Sequence, residues 1–465
     1  MKKGAKLLCG ILGVAFLATG CATVGNVNNT EKEVIYNGNA AVCVGDYVYF
    51  GNSFADYTTF TSDGSYKTAA QVSYLNRLEN AVKLSATNKD YSPNNTEKVN
   101  DEVVGQANNF MFVLGDYIYF TTPKREQEQD SSGVPQYVYS HSTLYRSRLN
   151  GDGKSVVYKT TGDISNIEVL KYNGKYYIVM LEDTNLVRIE IGDNYSSKVI
   201  AEDVTSIAIP KTYQKANKQS TLDWNGQIIF TTSRTDEDNS DISGTKVSKI
   251  AVDTEKTKTI FNQQGTNVSL VGRERNVVFY TINSVSYAFD SNTSGEVDLK
   301  SNKYEIYSAA ISDVNLIATN ARELGLLYTS NSKTIYRTTA GVNGVLNFKA
   351  DGQAITASVV AVSTTQVLLA SSTGLYMADL ADVYGRTTNG SVDVECHTIA
   401  THSAIKTNYV SFDGKYVYYY AQLEDVEDDE NITESDANYY LYRADVSKEN
   451  SYTLLSLTQT EDRHS

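Results

Sequence analysis

The 465-residue chain contains only 4 prolines and 4 methionines, and beyond its first twenty residues no apolar run is long enough to span a bilayer. No stretch repeats apolar residues at a 3.6-residue period for more than a turn or two, which excludes a helical bundle or a helix-covered parallel sheet. Histidine and cysteine are equally sparse, at 4 each. Cys396-His397 and His402 are the only near neighbours of metal-ligating type. They are better read as solvated or core side chains than as a centre, because His141 and His464 are far off in sequence. Neither a Gly-x-Ser-x-Gly elbow nor a His-Glu-x-x-His pair occurs. Gly151-Asp152-Gly153-Lys154-Ser155 ends like a phosphate-binding loop, but Arg148 stands where that loop needs its first glycine, so the segment reads as a hairpin turn. No catalytic residue, metal or cofactor is expected.

What is present is a repeated sentence: a glycine turn, a tyrosine-rich strand, a connection, then a strand often reading Leu-Tyr-Arg. Clear copies begin at Gly45-Asp46-Tyr47-Val48-Tyr49-Phe50, Gly115-Asp116-Tyr117-Ile118-Tyr119-Phe120 and Gly414-Lys415-Tyr416-Val417-Tyr418-Tyr419. Weaker ones start near Gly174, Gly226, Asn276, Gly325 and Thr365. The second strand is clearest in Leu144-Tyr145-Arg146, Ile335-Tyr336-Arg337 and Leu441-Tyr442-Arg443, and degraded in Leu186-Val187-Arg188 and Gly374-Leu375-Tyr376. An apolar strand such as Met111-Phe112-Val113-Leu114 precedes the glycine, and a β-branched strand such as Ser155-Val156-Val157-Tyr158 closes the unit. A period of about fifty residues built from short strands predicts an all-β chain forming a single β-propeller of four-stranded antiparallel blades, A to D. Eight blades are expected, with seven, or two smaller β domains, as alternatives. The 35 tyrosines suit pleated, half-buried surfaces.

The first twenty residues read as an address. Lys2, Lys3 and Lys6 precede an apolar run from Leu7 to Leu17 that ends in Leu17-Ala18-Thr19-Gly20-Cys21. This resembles the bacterial lipobox, with Ala18 where Leu is usual, and the resemblance implies cleavage after Gly20 and a diacylated Cys21. An ordinary secretory signal is the plainer alternative. The expected organisation is a lipoprotein signal over residues 1–20, a flexible tether over 21–32 and the propeller over 33–465, lipid-anchored on the extracytoplasmic side of the cell membrane. Two acyl chains make such attachment effectively permanent. Cys43 and Cys396 then remain as two buried thiols rather than a disulfide. Loss of the three signal lysines takes the formal charge from −14 to −17, which repels nucleic acid and anionic lipid. A monomer without nucleic-acid binding is expected.

Connections are where function can be sought on such a scaffold. In an antiparallel meander the B–C and D–A connections leave on one face and the A–B and C–D turns on the other. Long B–C connections are expected at Gly51–Gln71, Pro123–His141 and Gln422–Asn438, in blades one, two and eight, which a closed ring makes neighbours. They carry Phe54, Tyr57, Phe60 and Tyr66, then Tyr137 and Tyr139, then Glu424, Asp425, Glu427, Asp428 and Asp429 in an acidic run extended by Glu430, Glu434 and Asp436. Aromatics beside carboxylates suggest a surface for a protein or glycan partner, and the plainer reading is solvated loops whose rings pack on their own blades. Weak calcium binding by the acidic run is a further expectation, although the regular Asp-x-Asp-x-Asp-Gly spacing is absent. A smaller acidic connection, Asp236-Glu237-Asp238, and a lysine-bearing insertion at Pro210–Leu222 belong to blade four.

The Gly-Asp-Tyr-Ile-Tyr-Phe and Leu-Tyr-Arg motifs are similar to blades of bacterial surface propellers of unknown function, distant relatives of the YWTD propellers of lipoprotein-receptor ectodomains. The resemblance covers the chain from about residue 40 onward and lacks the Tyr-Trp-Thr-Asp tetrad itself. It implies an extracellular binding or scaffolding platform and carries over no active-site residue. Eight-bladed propellers that hold quinone cofactors, and the propeller lipoprotein of outer-membrane assembly, dock a tryptophan in every blade, whereas this chain has Trp224 alone. An enzyme acting on an extracellular glycan or peptide, with carboxylates and tyrosines of a loop face or the central channel as acid and base, is the second functional reading.

Overall fold

The computed structural model describes most residues between 34 and 455; the longest stretches outside the description are 80–96, 291–313 and 423–437. The described strands form eight successive antiparallel meanders, and the chain folds as a β-propeller. With strands lettered A to D from the inside outward, the first sheet comprises Ala41–Val44, Tyr47–Gly51, Ser73–Glu79 and Glu97–Val104. The second comprises Met111–Leu114, Tyr117–Gln129, Pro135–Arg148 and Ser155–Lys159. The third and fourth start at Ile164–Tyr172 and Val204–Ala208, and the fifth, beginning at Val268–Glu274, has three described strands. Strands A of the sixth, seventh and eighth are Val314–Ala318, Ser358–Val362 and Val410–Phe412. Every repeat glycine or its substitute is followed within two residues by a strand B, at Tyr47, Tyr117, Lys175, Gln227, Val277, Leu326, Gln366 and Tyr416.

The glycines recur because the A–B turn needs a left-handed residue. Gly45, Gly115, Gly174, Gly226 and Gly414 have φ of 54°, 58°, 74°, 60° and 95°, a region where a Cβ is penalised. Tyrosines recur for a different reason. The largest fully buried side chains are all tyrosines, among them Tyr49, Tyr119, Tyr336, Tyr418 and Tyr420, and a buried phenol needs a hydrogen-bond partner. Several find it in the neighbouring sheet. Tyr49 donates to the Leu149 carbonyl (2.8 Å), Tyr119 shares a bond with Tyr195 (3.1 Å), Tyr336 donates to Gly390 (3.2 Å) and Tyr420 donates to Gly51 (2.7 Å).

Apolar clusters fill the seams between successive sheets. Val42 and Tyr49 meet Val113 and Ile118 between sheets one and two, and Ile178 meets Phe112 and Tyr119 between two and three. Comparable cores join sheets three and four, four and five, six and seven, and seven and eight. The last seam closes the circle: Ala41, Val48 and Phe50 of the first sheet pack with Tyr418, Tyr420 and Leu441 of the eighth. Ser411 Oγ accepts from the amides of Ala40 and Ala41 at 2.9 and 2.8 Å. In addition Ser53–Ala55, from the first sheet's B–C connection, pairs antiparallel with strand C of the eighth, Asn438–Asp445.

Sheets six and seven are joined by hydrogen bonds as well as by a core. Their outer strands, Asn343–Ala350 and Val392–Thr401, pair in parallel with Leu346 opposite Val392 and Lys349 opposite Glu395. Asp393 then accepts from Asn347 (3.0 Å) and from Lys349 (2.7 Å), and Gly390 N–H donates to the Asn343 carbonyl (3.0 Å). Gly344 is required by this approach, since a Cβ there would lie 1.8 Å from the Gly390 carbonyl oxygen. Gly344→Ala should force the two backbones apart and cost about 2–3 kcal/mol, in the range of overpacked cores. Gly352→Ala, in open space but at positive φ, should cost about 1 kcal/mol. Denaturant midpoints of the two variants check the order; equal losses would mean that the parallel junction contributes little.

Candidate functional surface

The repeat motifs themselves are occupied with holding the fold. In the second sheet the Arg146 guanidinium lies over the Tyr117 ring, 4.4 Å from its centroid, and in the eighth Arg443 lies over Tyr416 at the same distance. The strand register explains the co-occurrence of the motifs: Arg146 is opposite Tyr119 and Arg443 opposite Tyr418, so each cation sits diagonally from the tyrosine that opens strand B. In the third sheet Arg188, 8% exposed, donates instead to the Val252 carbonyl of the fourth (2.8 Å) and pairs with Glu255 (3.1 Å). Tyrosine and arginine of the repeat are therefore poor candidates for contacts with a partner on the B–C face.

The inserted B–C connections are differently placed. Tyr137 and Tyr139, read from sequence as loop residues, lie on a strand: B and C of the second sheet run on as Tyr117–Gln129 and Pro135–Arg148, with Tyr137 opposite Gln127 and Tyr139 opposite Arg125. The alternation Tyr137-Val138-Tyr139 suits an extended ribbon, and this outweighs the prolines at its ends. Strand A pairs only with Tyr117–Phe120 and strand D only with Thr143–Arg146. The pairs from Lys124 with Ser140 to Gln129 with Pro135 thus form a two-stranded ribbon extending roughly 20 Å beyond the sheet.

The first sheet's connection is also partly ordered into strands rather than loop. Phe54 sits opposite Tyr439 in the pairing with the eighth sheet, and Phe60 sits opposite Tyr66 in a small hairpin of Thr58–Phe60 with Tyr66–Thr68. Tyr57 lies outside the described residues, as do Cys21, Glu424, Asp425, Glu427, Asp428 and Asp429, and Asp236-Glu237-Asp238 of sheet four. The insertion of that sheet contains a hairpin, Tyr213–Lys215 with Lys218–Ser220. Gly151–Ser155 forms the expected hairpin turn, where Arg148 and Asp152 exchange a backbone bond and Asn150 holds the Asp152 carboxylate.

Cys396 and His397 alternate across their strand, one buried and one exposed, so they cannot share a ligand. His402, 2% exposed, packs among the rings of Tyr442 and Tyr452 at 4.5 and 5.2 Å. Among the described residues no group of three His, Cys, Asp or Glu side chains is placed to hold a metal. Two residues of structural weight escaped the sequence. Asp413, 4% exposed, accepts from the Lys415 and Tyr416 amides (2.9 and 2.7 Å) and from the Tyr418 hydroxyl (3.0 Å). Its only signal is a carboxylate directly before the turn glycine. Ile35 forms an antiparallel bridge to Val113 on the innermost strand of sheet two, with bonds of 2.8 and 2.9 Å; a single bridging residue leaves no pattern to read.

No protein-family model and no curated protein matches this sequence. Among solved structures, the propeller domain of the trilobed protease from Pyrococcus furiosus is 11% identical, with a TM-score of 0.34 over 93% of this chain and 100% of that one. TolB from Acinetobacter baumannii is 12% identical, with a TM-score of 0.29 over 76% and 82% of the two chains. A chain of the mitotic checkpoint complex is 9% identical, with a TM-score of 0.35 over 70% and 83%. The fold assignment rests on the sheets described above.

Cys43 and Cys396 are not joined in a disulfide. Burial, and then the Asp413 charge, push the Cys43 thiol well above its ordinary value, and burial pushes Cys396 up to about 11. A raised thiol pKa keeps the neutral form at pH 8, and the neutral form is the unreactive one. The Thr23–Ser465 body should therefore resist iodoacetamide at pH 8 at both cysteines and take up two equivalents once denatured. Its stability should fall as the pH rises from about 9 towards 11, because the unfolded thiols ionise first. Alkylation of either native thiol at the rate of a free cysteine would contradict the packing described.

Proposed function

We propose that this chain is a membrane-tethered, extracytoplasmic binding or scaffold protein, in which a lipid on Cys21 holds a β-propeller whose B–C face receives a protein or glycan partner. One observation carries the reading. Pairing of Ser53–Ala55 with Asn438–Asp445 sets the aromatic insertion of sheet one against the strand that follows the acidic run of sheet eight. The core shared by sheets one and two sets the ribbon of Tyr137 and Tyr139 on their other side. In this reading the three insertions, of distinct chemistry, share one face, whereas the motifs of the repeat are occupied with holding the fold. Rings that stack on sugars or anchor a protein, beside carboxylates that accept from hydroxyls and cations, suit a polar and partly cationic partner.

The membrane half of the proposal rests on Leu17-Ala18-Thr19-Gly20-Cys21 and is tested separately. Cys21→Ser should move the protein from the membrane fraction to the soluble one, and sedimentation with membrane after a carbonate wash would refute the anchor. For the binding half, the Thr23–Ser465 body should recover a partner from cell-envelope extract. Tyr57→Ala, Phe60→Ala and Tyr137→Ala together should abolish that recovery, since each hot-spot aromatic typically contributes about 2 kcal/mol. Melting should stay close to wild type, because Phe60 lies in a separate two-stranded hairpin and Tyr137 in the part of strand C beyond the residues where strands A and D pair. Undiminished recovery would place the contact elsewhere, and a large fall in melting temperature would make these rings packing residues.

A further inference from the structure

The direction of the chain at Ile35 has a consequence for how the molecule stands on a membrane. Among the described residues seven of the eight sheets have four strands, A to D, so in these strand A starts at the face where the B–C connections emerge and ends at the face of the tight A–B and C–D turns. The parallel pairing of the outer strands of sheets six and seven is what this common sense of direction requires. Ile35 pairs antiparallel to Val113 in strand A of sheet two, so the chain there runs from the tight-turn face towards the B–C face. It then reverses before Ala41, where strand A of sheet one begins. Val34 and Ile35 are both buried, in the cores on either side of sheet two. The chain preceding Val34 is thus delivered to the tight-turn face.

We infer that the tight-turn face is the membrane-facing surface and that the B–C hairpins point away from the bilayer; this rests on the proposed tether at Cys21. Reach decides against the opposite arrangement. The twelve residues 22–33 span at most roughly 40 Å when fully extended. Passing around the rim requires about 20 Å across the sheet and about 20 Å along the strands, and the sheet-two ribbon adds about 20 Å more. The chemistry of the tight-turn face agrees. Three tyrosines in the first two positions of strand B there are half-buried and carry cations: Tyr117 with Arg146 and Arg148, Tyr176 with Lys171, and Tyr416 with Lys415 and Arg443. Tyrosine rings flanked by long cationic side chains suit the headgroup layer of a bilayer. The acidic run Glu424–Glu430 lies in sequence between strands B and C of sheet eight.

The test places a fluorescent noncanonical residue at one of two exposed positions, Glu449 in the C–D turn of sheet eight or Thr184 in the B–C turn of sheet three. The chain from Cys21 to Ser465 is then coupled through Cys21 to maleimide-lipid vesicles of neutral phosphatidylcholine carrying a headgroup acceptor dye. Energy transfer should be stronger from position 449, with a separation between the two positions of about 20 Å along the membrane normal. Equal transfer, or stronger transfer from 184, would overturn the orientation. Ile35→Pro removes the N–H that bonds Val113 and should shrink the difference; an undiminished difference would show that the bridge does not set it. Because the coupling is chemical, the outcome stands whatever the Cys21→Ser fractionation shows, and the two readings can fail separately.

Discussion

The interaction on which this structure depends is the burial of one sheet's tyrosines against the next sheet, with the hydroxyl hydrogen-bonded across the seam. A four-stranded meander of short strands has two faces to cover and cannot cover them alone. Burying each ring contributes about 2 kcal/mol, and the hydroxyl turns a desolvation cost into a directed bond. Tyr49 to Leu149 and Tyr119 to Tyr195 run from strand B of one sheet to the C–D turn of the next. In sheet three the position is apolar, and Arg188 reaches Val252 in the C–D turn of sheet four instead. Different side chains thus meet the same constraint, that the turn of each sheet is clasped by its predecessor.

The seam between the last and first sheets must do this without a covalent connection between them. It is held in four ways: a shared core, the Ser411 hydroxyl on two amides, the Tyr420 phenol on Gly51, and the added strand Ser53–Ala55. Asp413 supports the same place from within, fixing the A–B turn of sheet eight and the Tyr418 ring that packs on Val48. The parallel junction of sheets six and seven has no such topological duty. The sequence around Gly344 and Gly390 offers no reason for it beyond the close approach that those two glycines permit.

Legibility in the sequence follows the range of the interaction. The eight positions at which strand B begins were readable because a left-handed turn residue followed by alternating aromatics is a local pattern, satisfied within about six residues. Leu-Tyr-Arg was readable as strand C, although its arginine's role over Tyr117 or Tyr416 emerges only with the register. The pairing of Phe54 with Tyr439 joins residues nearly four hundred positions apart and has no local signature. The ribbon around Tyr137 was read as loop because Lys124-Arg125-Glu126-Gln127-Glu128-Gln129 has low β-propensity. There the cross-strand ladder begun inside the sheet simply continues outward.

The same residue type therefore serves two ends in this chain, and register separates them. Tyr117 and Tyr416, at the first position of strand B, are held by cations, and a tyrosine at the third is held by the neighbouring sheet, as Tyr49 is, or by its own turn carboxylate, as Tyr418 is. Tyr137 and Tyr139 lie past the last residue at which strands A and D still pair, where no further sheet partner follows them. A two-stranded ribbon of that length is marginal on its own in water. Composition alone could not have made this distinction, since the seams take up most of the tyrosine that first draws attention to the chain.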